Sequence, residues 1–424
     1  MNEQRQQAYF NLIQRLLNCR SNEIRKILAA NQDLIDAGLV QKMLEMASNL
    51  LRQGELDQAN RLMNIAGQQL GVSSKLSSTA TEKEYLDFLE QVLKVTADSR
   101  GNAQLVYPLL EKNTDKLDEV FAEILRQWGT KTLREAQADV AESIAADIFL
   151  FSDLIQQFPL GNKASNMEIA ITGYKVALTV YTSEAFPQKW ATIQNCLGLA
   201  YRERILGEKA ENIELAIAAF SDALTVYTQQ AFPQDWAGTQ NCLGAVYVDR
   251  ITGEKAENIE LAIAAFFDAL SVHTQQDFPQ NWATTQYNLG NAYCERILGE
   301  KAENIELAIA AYTAALSVHT QQDFPREWAT TQYNLGLAYV QKILGEKAEN
   351  IELAIAAFSD ALRVHTQQDF PQEWATTQNC LGNAYLERIL GEKAENIELA
   401  ITAFSTALRV HTQQDFPQEW ATTQ

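Results

Sequence analysis

Residues 282–325 read WATTQYNLGNAYCERILGEKAENIELAIAAYTAALSVHTQQDFP, from Trp282 to Pro325, and the chain repeats that text almost verbatim. Trp190, Trp236, Trp282, Trp328, Trp374 and Trp420 stand 46 residues apart. A fixed period of roughly 20–50 residues marks a solenoid, in which a unit buries its apolar face only against its neighbours. Architecture is therefore written more plainly in this sequence than function.

The unit that begins at Pro187 shows how one repeat is built. Proline suits the first helical position, where a missing N–H is no loss, and Asp235 or Glu327 adds negative charge to the same turn in later units. Trp190, Leu197, Tyr201 and Ile205 follow at helical spacing and form the apolar stripe of a first helix, helix A. Gly207 reads as a left-handed C-cap, Glu208 to Glu211 as a polar loop, and Asn212 as the N-cap of helix B. Ile213, Ala216, Ile217, Phe220, Ala223, Leu224 and Tyr227 then make a full amphipathic pattern up to Phe232-Pro233, where the next unit starts. Nothing alternates with period two. Each unit is a helical hairpin.

Leu289-Gly290-x-x-Tyr293, Ala308-x-x-x-Tyr312 and Pro325 together resemble the tetratricopeptide (TPR) pattern, in which small residues let two helices approach and aromatics fill the space between hairpins. The family's tryptophan would fall at Gln286 but stands one turn earlier, at Trp282. The period is 46 instead of about 34, with extra residues in both connections. The resemblance implies an all-α, right-handed TPR superhelical solenoid of long-helix repeats behind an N-terminal helical cap. It also implies a protein-binding scaffold that holds a peptide or partner protein in a concave groove lined by helix A.

Composition narrows the classes of partner. The 424 residues carry a net charge of −20, which argues against nucleic acid and against anionic membrane surfaces. No apolar run is long enough to span a bilayer and the N-terminus lacks a signal-peptide core. The five cysteines are an odd number, and Cys196, Cys242 and Cys380 share one repeat position, so a disulfide framework is implausible and a reducing cytoplasm fits best.

Taken in order, residues 1–71 read as a helical region, with a short amphipathic helix from Gln4 to Asn18 and further helical stretches at 24–30, 39–53 and on to Leu70. The Ser-rich stretch at 72–79 reads as a linker. Residues 80–157 read as a helical bundle that caps the array, with helices at 83–96, 103–112, 117–128 and 133–157, breaks at Gly101-Asn102 and Gly129, and Asn113 or Thr114 capping the third helix. The array, 158–424, opens with a lone helix B matched by Asn166, Ala170, Tyr174 and Ala177. Five full units and the start of a further helix A follow. An uncapped last hairpin points to a fragment of a longer protein or to self-association through that end.

The YLDFLEQVL stretch and the FPLGNKASNMEIAI entrance to the repeats look like the front half of TPR proteins of phototrophic bacteria, many of which carry a caspase-like CHAT peptidase domain after the repeats. That resemblance implies an alternative role as the sensor half of such a peptidase. The family's His/Cys dyad maps onto no residue of this chain. A self-assembling structural repeat protein is a third reading.

No catalytic constellation emerges, no cofactor is called for, and the chain reads as a non-enzyme. His273, His319, His365 and His411 hold the place that Tyr181 and Tyr227 hold in earlier units, which suits aromatic packing; ligands on hairpins about 10 Å apart cannot converge on one metal. The cysteine ladder alternates with Asn288 and Asn334 and has no nearby histidine to serve as a base. The tryptophans sit where neighbouring units pack. Glu203, Asp249, Glu295, Gln341 and Glu387, each followed by Arg204, Arg250, Arg296, Lys342 or Arg388, form either a solvated row of ion pairs or a polar track.

The near-identical units disagree at three positions on one face of helix A. Asn195, Asn241, Tyr287, Tyr333 and Asn379 hold the first; Leu199, Ala245, Asn291, Leu337 and Asn383 the second; Arg202, Val248, Cys294, Val340 and Leu386 the third. Packing positions stay fixed because every interface is the same interface, whereas a face that meets a partner is free to differ. This face, with Glu203, Asp249, Glu295 and Glu387 beside it, is the expected partner-binding groove, and Tyr287 and Tyr333 are its expected anchors.

Overall fold

The computed structural model describes residues 3–18, scattered positions between 19 and 81, residues 82–412 and residues 416–423. Every regular element among the described residues is helical. The chain divides into two compact units, Met1–Phe88 and Leu89–Gln424.

In the first unit, helix Glu3–Asn18 buries Tyr9, Leu12, Ile13 and Leu16 against Leu39, Met43 and Leu62. Those four helix residues lie at i, i+3, i+4 and i+7, the spacing of one helical face. The further helices expected between 24 and 70 and the linker at 72–79 lie outside the described residues, apart from single positions.

Ahead of the array come helices Glu82–Ser99, Ala103–Glu111, Glu119–Glu135 and Ala138–Gln157. Two expectations are corrected here. Gly129 is no break: it is buried inside helix Glu119–Glu135, and a Cβ there would come within 2.7 Å of Val176. Its glycine serves close packing, and the true break falls at Ala136–Gln137. The third helix is capped by Asp118, whose carboxylate accepts the Phe121 N–H at 3.0 Å, while Asn113 leads only into a short 3-10 turn.

The array follows the expected hairpin. Helix A runs Pro187–Glu203, Pro233–Asp249, Pro279–Glu295, Pro325–Gln341 and Pro371–Glu387; helix B runs Lys209–Leu224, Lys255–Leu270, Lys301–Leu316, Lys347–Ala361 and Lys393–Ala407. The lone helix B before them is Lys163–Ala177, and Pro417–Thr423 begins a further helix A. Gly207, Gly253, Gly299, Gly345 and Gly391 all take positive φ, but in the turn and not as the expected C-cap, because helix A is already capped three residues earlier, at Arg204 in the first repeat.

Two further details of the turn differ from expectation. Asn212 is not the N-cap, which is Glu208. It lies buried in the first turn of helix B, and its Nδ2 donates back to the Leu206 carbonyl at 2.8 Å. The same bond recurs from Asn258, Asn304, Asn350 and Asn396, so this amide holds the turn closed in every unit. Ile205 does not extend the helix-A stripe. Helix A ends at Glu203, and Ile205 faces solvent.

The arginine row is structural. Arg296 donates from Nε and Nη2 to both oxygens of Glu260 in the preceding unit, at 2.7 and 3.0 Å. Arg204–Glu168, Arg250–Glu214 and Arg388–Glu352 repeat that fork, and Lys342–Glu306 replaces it with a single 3.1 Å pair. Each fork ties one turn to the helix B before it.

Candidate functional site: the helix-A face

Neighbouring A helices are joined by a ladder of side-chain bonds at one register. Thr239 donates to Asn195 Oδ1 at 3.1 Å, and Asn288 Nδ2 to Asn241 Oδ1 at 3.0 Å. Asn334 Nδ2 donates to both Tyr287 Oη and Asn291 Oδ1 at 3.0 Å, while Tyr312 donates to Asn291 Oδ1 at 2.7 Å. Tyr333 Oη lies 3.7 Å from Cys380 Sγ. Positions 242, 288, 334 and 380 hold Cys, Asn, Asn and Cys, and the two asparagines are the ones whose amides donate to the helix before.

The ladder changes the standing of the two expected anchors. Tyr287 and Tyr333 are half-buried, their rings 6.0 Å from Tyr312 and Phe358 and their hydroxyls directed at the next A helix. Burial pushes the Tyr333 hydroxyl up from its ordinary pKa. These tyrosines are inter-unit struts as well as surface. Losing both side chains should therefore cost stability as well as surface. Tyr287→Ala with Tyr333→Ala should lower the melting temperature by more than about 5 °C, and the Tyr→Phe pair, which gives up only hydroxyl contacts, by less than half as much. Thermal melting followed by circular dichroism checks this; an unchanged melting temperature in the alanine pair would show that the rings carry no packing.

Cavities open along the same face. One of about 340 Å³ is lined by Arg202, Asp249, Asn288, Asn291, Glu295 and Asn334, with Ala245, Cys294 and Leu337 at its floor and sides. A second of about 410 Å³ adjoins it, sharing Arg202, Ala245 and Asn288 and adding Asn241, Tyr287 and Arg326. A third of about 550 Å³ lies at the first full hairpin of the array, between Leu199, Glu203 and residues 153–163. Asp153 lines it, and burial raises its carboxyl pKa. Asn195, Tyr333, Asn379, Asn383 and Glu387 line none of these three. Asn195 and Tyr333 are committed to the ladder, Asn379 is half-buried, and Asn383 and Glu387 are exposed.

The acidic row divides from the arginine row that follows it in sequence. Asp249 pairs with Arg202 at 3.0 Å, Glu295 with Lys255 at 2.8 Å and Glu387 with Lys347 at 3.1 Å, all solvent-accessible, so these carboxylates remain open to exchange partners.

The other ladders are packing. His273, His319, His365 and His411 are buried, each against the phenylalanine five residues on, at 5.6–6.1 Å between ring centres. Burial pushes the Cys196 thiol up to about 12 and Cys242 up to about 11, the opposite of an activated nucleophile. Trp190 and Trp236 pack together around Ala223 and Tyr227.

No protein-family model matches the chain, and no curated protein matches it. Among solved structures, the crystal structure of the APC/C hetero-tetramer Cut9–Hcn1 is similar at 15% identity, covering 99% of this chain and 93% of that one, with a TM-score of 0.40. The TPR domain of P58(IPK) is similar at 14% identity, covering 90% and 98%, with a TM-score of 0.25. A circular tandem repeat protein is similar at 13% identity, covering 99% and 92%, with a TM-score of 0.22. At these scores the fold assignment rests on the hairpins themselves. The array is an all-α solenoid of paired helices. Its helix-A face combines open cavities, amide groups and exposed charge of both signs, a surface able to meet a polypeptide's backbone and side chains.

Proposed function

We propose that the chain is a protein-binding scaffold that holds an extended peptide or partner segment along the helix-A face of its array. The observation that carries this reading is the adjoining pair of cavities, lined by the positions at which otherwise near-identical units differ. A common set of packing residues with individual groove residues is what a scaffold needs to read a partner position by position.

The test uses the full chain and a random-peptide library. Peptides enriched on the wild type should bind at least tenfold more weakly, about 1.4 kcal/mol, to the triple variant Asp249→Ser, Glu295→Ser, Gln341→Ser. The three side chains are exposed and make at most surface ion pairs, so its melting temperature should stay within about 2 °C of wild type. Undiminished binding to the triple variant, or no enrichment at all, overturns the reading.

A further inference from the structure

A second surface lies in the turns that close each hairpin, beginning two residues beyond the acidic row. Ile205, Ile251, Ile297, Ile343 and Ile389, in the turns between helices A and B, are between 57% and 62% exposed. Leu206, Leu298, Leu344 and Leu390 stand beside four of them, also exposed. The helix B that follows presents one more exposed leucine in the first four units: Leu215, Leu261, Leu307 and Leu353. The rows interleave, because Arg250 and Thr252 of one turn bond Glu214, the neighbour of Leu215 in the unit before.

These thirteen side chains, at on the order of 80 Å² each, make roughly 1,000 Å² of apolar edge, more than the about 800 Å² one partner gives to a standard interface. A single exposed leucine needs no explanation, but a patch of this extent marks an interaction surface.

The charge around the stripe selects its occupant. Each turn contributes two exposed glutamates and one lysine, from Glu208, Lys209 and Glu211 in the first unit to Glu392, Lys393 and Glu395 in the fifth. The lysines are engaged toward helix A: Lys209, Lys255 and Lys301 donate to carbonyls at its end at 3.0, 2.7 and 2.9 Å, and Lys255 and Lys347 pair with Glu295 and Glu387. None of the ten glutamates joins an ion pair among the described residues. An apolar stripe with an acidic rim repels a second copy of a chain whose net charge is −20 and attracts a cation.

The period selects its shape. Packed helices lie roughly 8–10 Å apart, so successive turns recur at about that interval. An α-helix advances about 10.5 Å in seven residues, which sets one apolar residue of a heptad over each turn. We infer that the A–B turn edge of the array docks a basic amphipathic helix of a partner protein, its heptad-spaced apolar residues seated on the isoleucine row and its basic residues on the glutamate rim.

The test measures fluorescence anisotropy with a labelled synthetic peptide of about four heptads, Leu at the first and fourth positions and Lys elsewhere. Wild-type chain should bind it, more weakly as salt rises. The triple variant Ile251→Gln, Ile297→Gln, Ile343→Gln should bind at least about tenfold more weakly with an unchanged melting temperature, since these side chains face solvent. A second variant, Glu254→Gln, Glu300→Gln, Glu346→Gln, should weaken binding through the rim and leave the stripe intact. A peptide of the same composition with its leucines scrambled, and one with Glu in place of Lys, should not bind. Equal affinity of the isoleucine variant for the lysine peptide, or binding of the glutamate peptide, overturns the inference. Sedimentation that shows wild-type self-association abolished by the isoleucine variant overturns it too, because the occupant would then be another copy of this chain.

Discussion

Gly290→Ala is expected to destabilise the array by about 2 kcal/mol or more, although alanine is worth about 1 kcal/mol over glycine in a helix interior. The reason is the closeness of the two helices in a hairpin. A Cβ on Gly290 would lie 2.6 Å from Cε1 and 2.7 Å from Cδ1 of Tyr312, a ring held fully buried and bonded through its hydroxyl to Asn291. Neither backbone nor ring can yield cheaply, so the hairpin must open. Gly198, Gly244, Gly336 and Gly382 meet Phe220, Phe266, Phe358 and Phe404 in the same way.

Two controls isolate the collision. In a Tyr312→Leu background, itself less stable than wild type, the added Gly290→Ala should be close to neutral or stabilising, because the ring edge is gone and propensity remains. Gly238→Ala should stabilise by about 0.5–1 kcal/mol, since Gly238 lies in helix Pro233–Asp249 with nothing within 4 Å of its would-be Cβ. Urea denaturation of the single and double variants gives the cycle. Loss of equal size in both backgrounds would mean that Tyr312 is not what the Cβ strikes.

The same glycine shows what a sequence can yield. Leu-Gly-x-x-Tyr at 46-residue intervals discloses two helices in close approach, and the period discloses their stacking, because identical text must fold into identical units. The helix-A face was singled out for the complementary reason, that text differing among otherwise identical units is free of the constraint that fixes the shared interface. Where reading failed, a residue's chemistry suited two places. Asn212 fits an N-cap and also a buried turn-closing amide, and only the start of helix B at Lys209 separates these. Ile205 fits the spacing of helix A, but the helix ends two residues earlier, which turns a presumed core residue into the edge of a docking surface. Gly129 reads as punctuation until Val176 is found against it. Tyr287 and Tyr333 differ among units and so looked like free surface, yet their hydroxyls reach the next helix, at Asn334 and Cys380. A position that varies between units can still be spent on contact with the next unit.

The histidine ladder makes stability depend on pH. His273, His319, His365 and His411 are buried, and burial holds each imidazole below its ordinary pKa. Glu327, Glu373 and Glu419 pull the last three the other way, less strongly, and Arg326 adds to the depression at His365. In the unfolded chain these histidines take up protons near pH 6.5, before the folded chain does. Their contribution to stability is therefore complete above about pH 6.5 and is lost as pH falls toward the lowered folded values, at no more than about 1.4 kcal/mol per histidine per pH unit. Carboxylate protonation lies lower, so the window between about pH 6.5 and 5.5 belongs to histidine. Tyrosine is the natural replacement. Tyr227 occupies the equivalent site, with its hydroxyl 2.6 Å from Thr192, and Thr284, Thr330 and Thr376 stand where Thr192 stands, opposite His319, His365 and His411. At His273 that place is held by Gly238, so this histidine is left in the variant. His319→Tyr, His365→Tyr, His411→Tyr should melt higher than wild type even at pH 7.5, because Nδ1 of His319 and both ring nitrogens of His411 are buried without a hydrogen-bond partner. Between pH 7.5 and 5.5 its melting temperature should fall by less than half as much as that of wild type. Parallel decline of the two proteins across that window would assign the acid sensitivity to carboxylates and leave the buried imidazoles with no part in it.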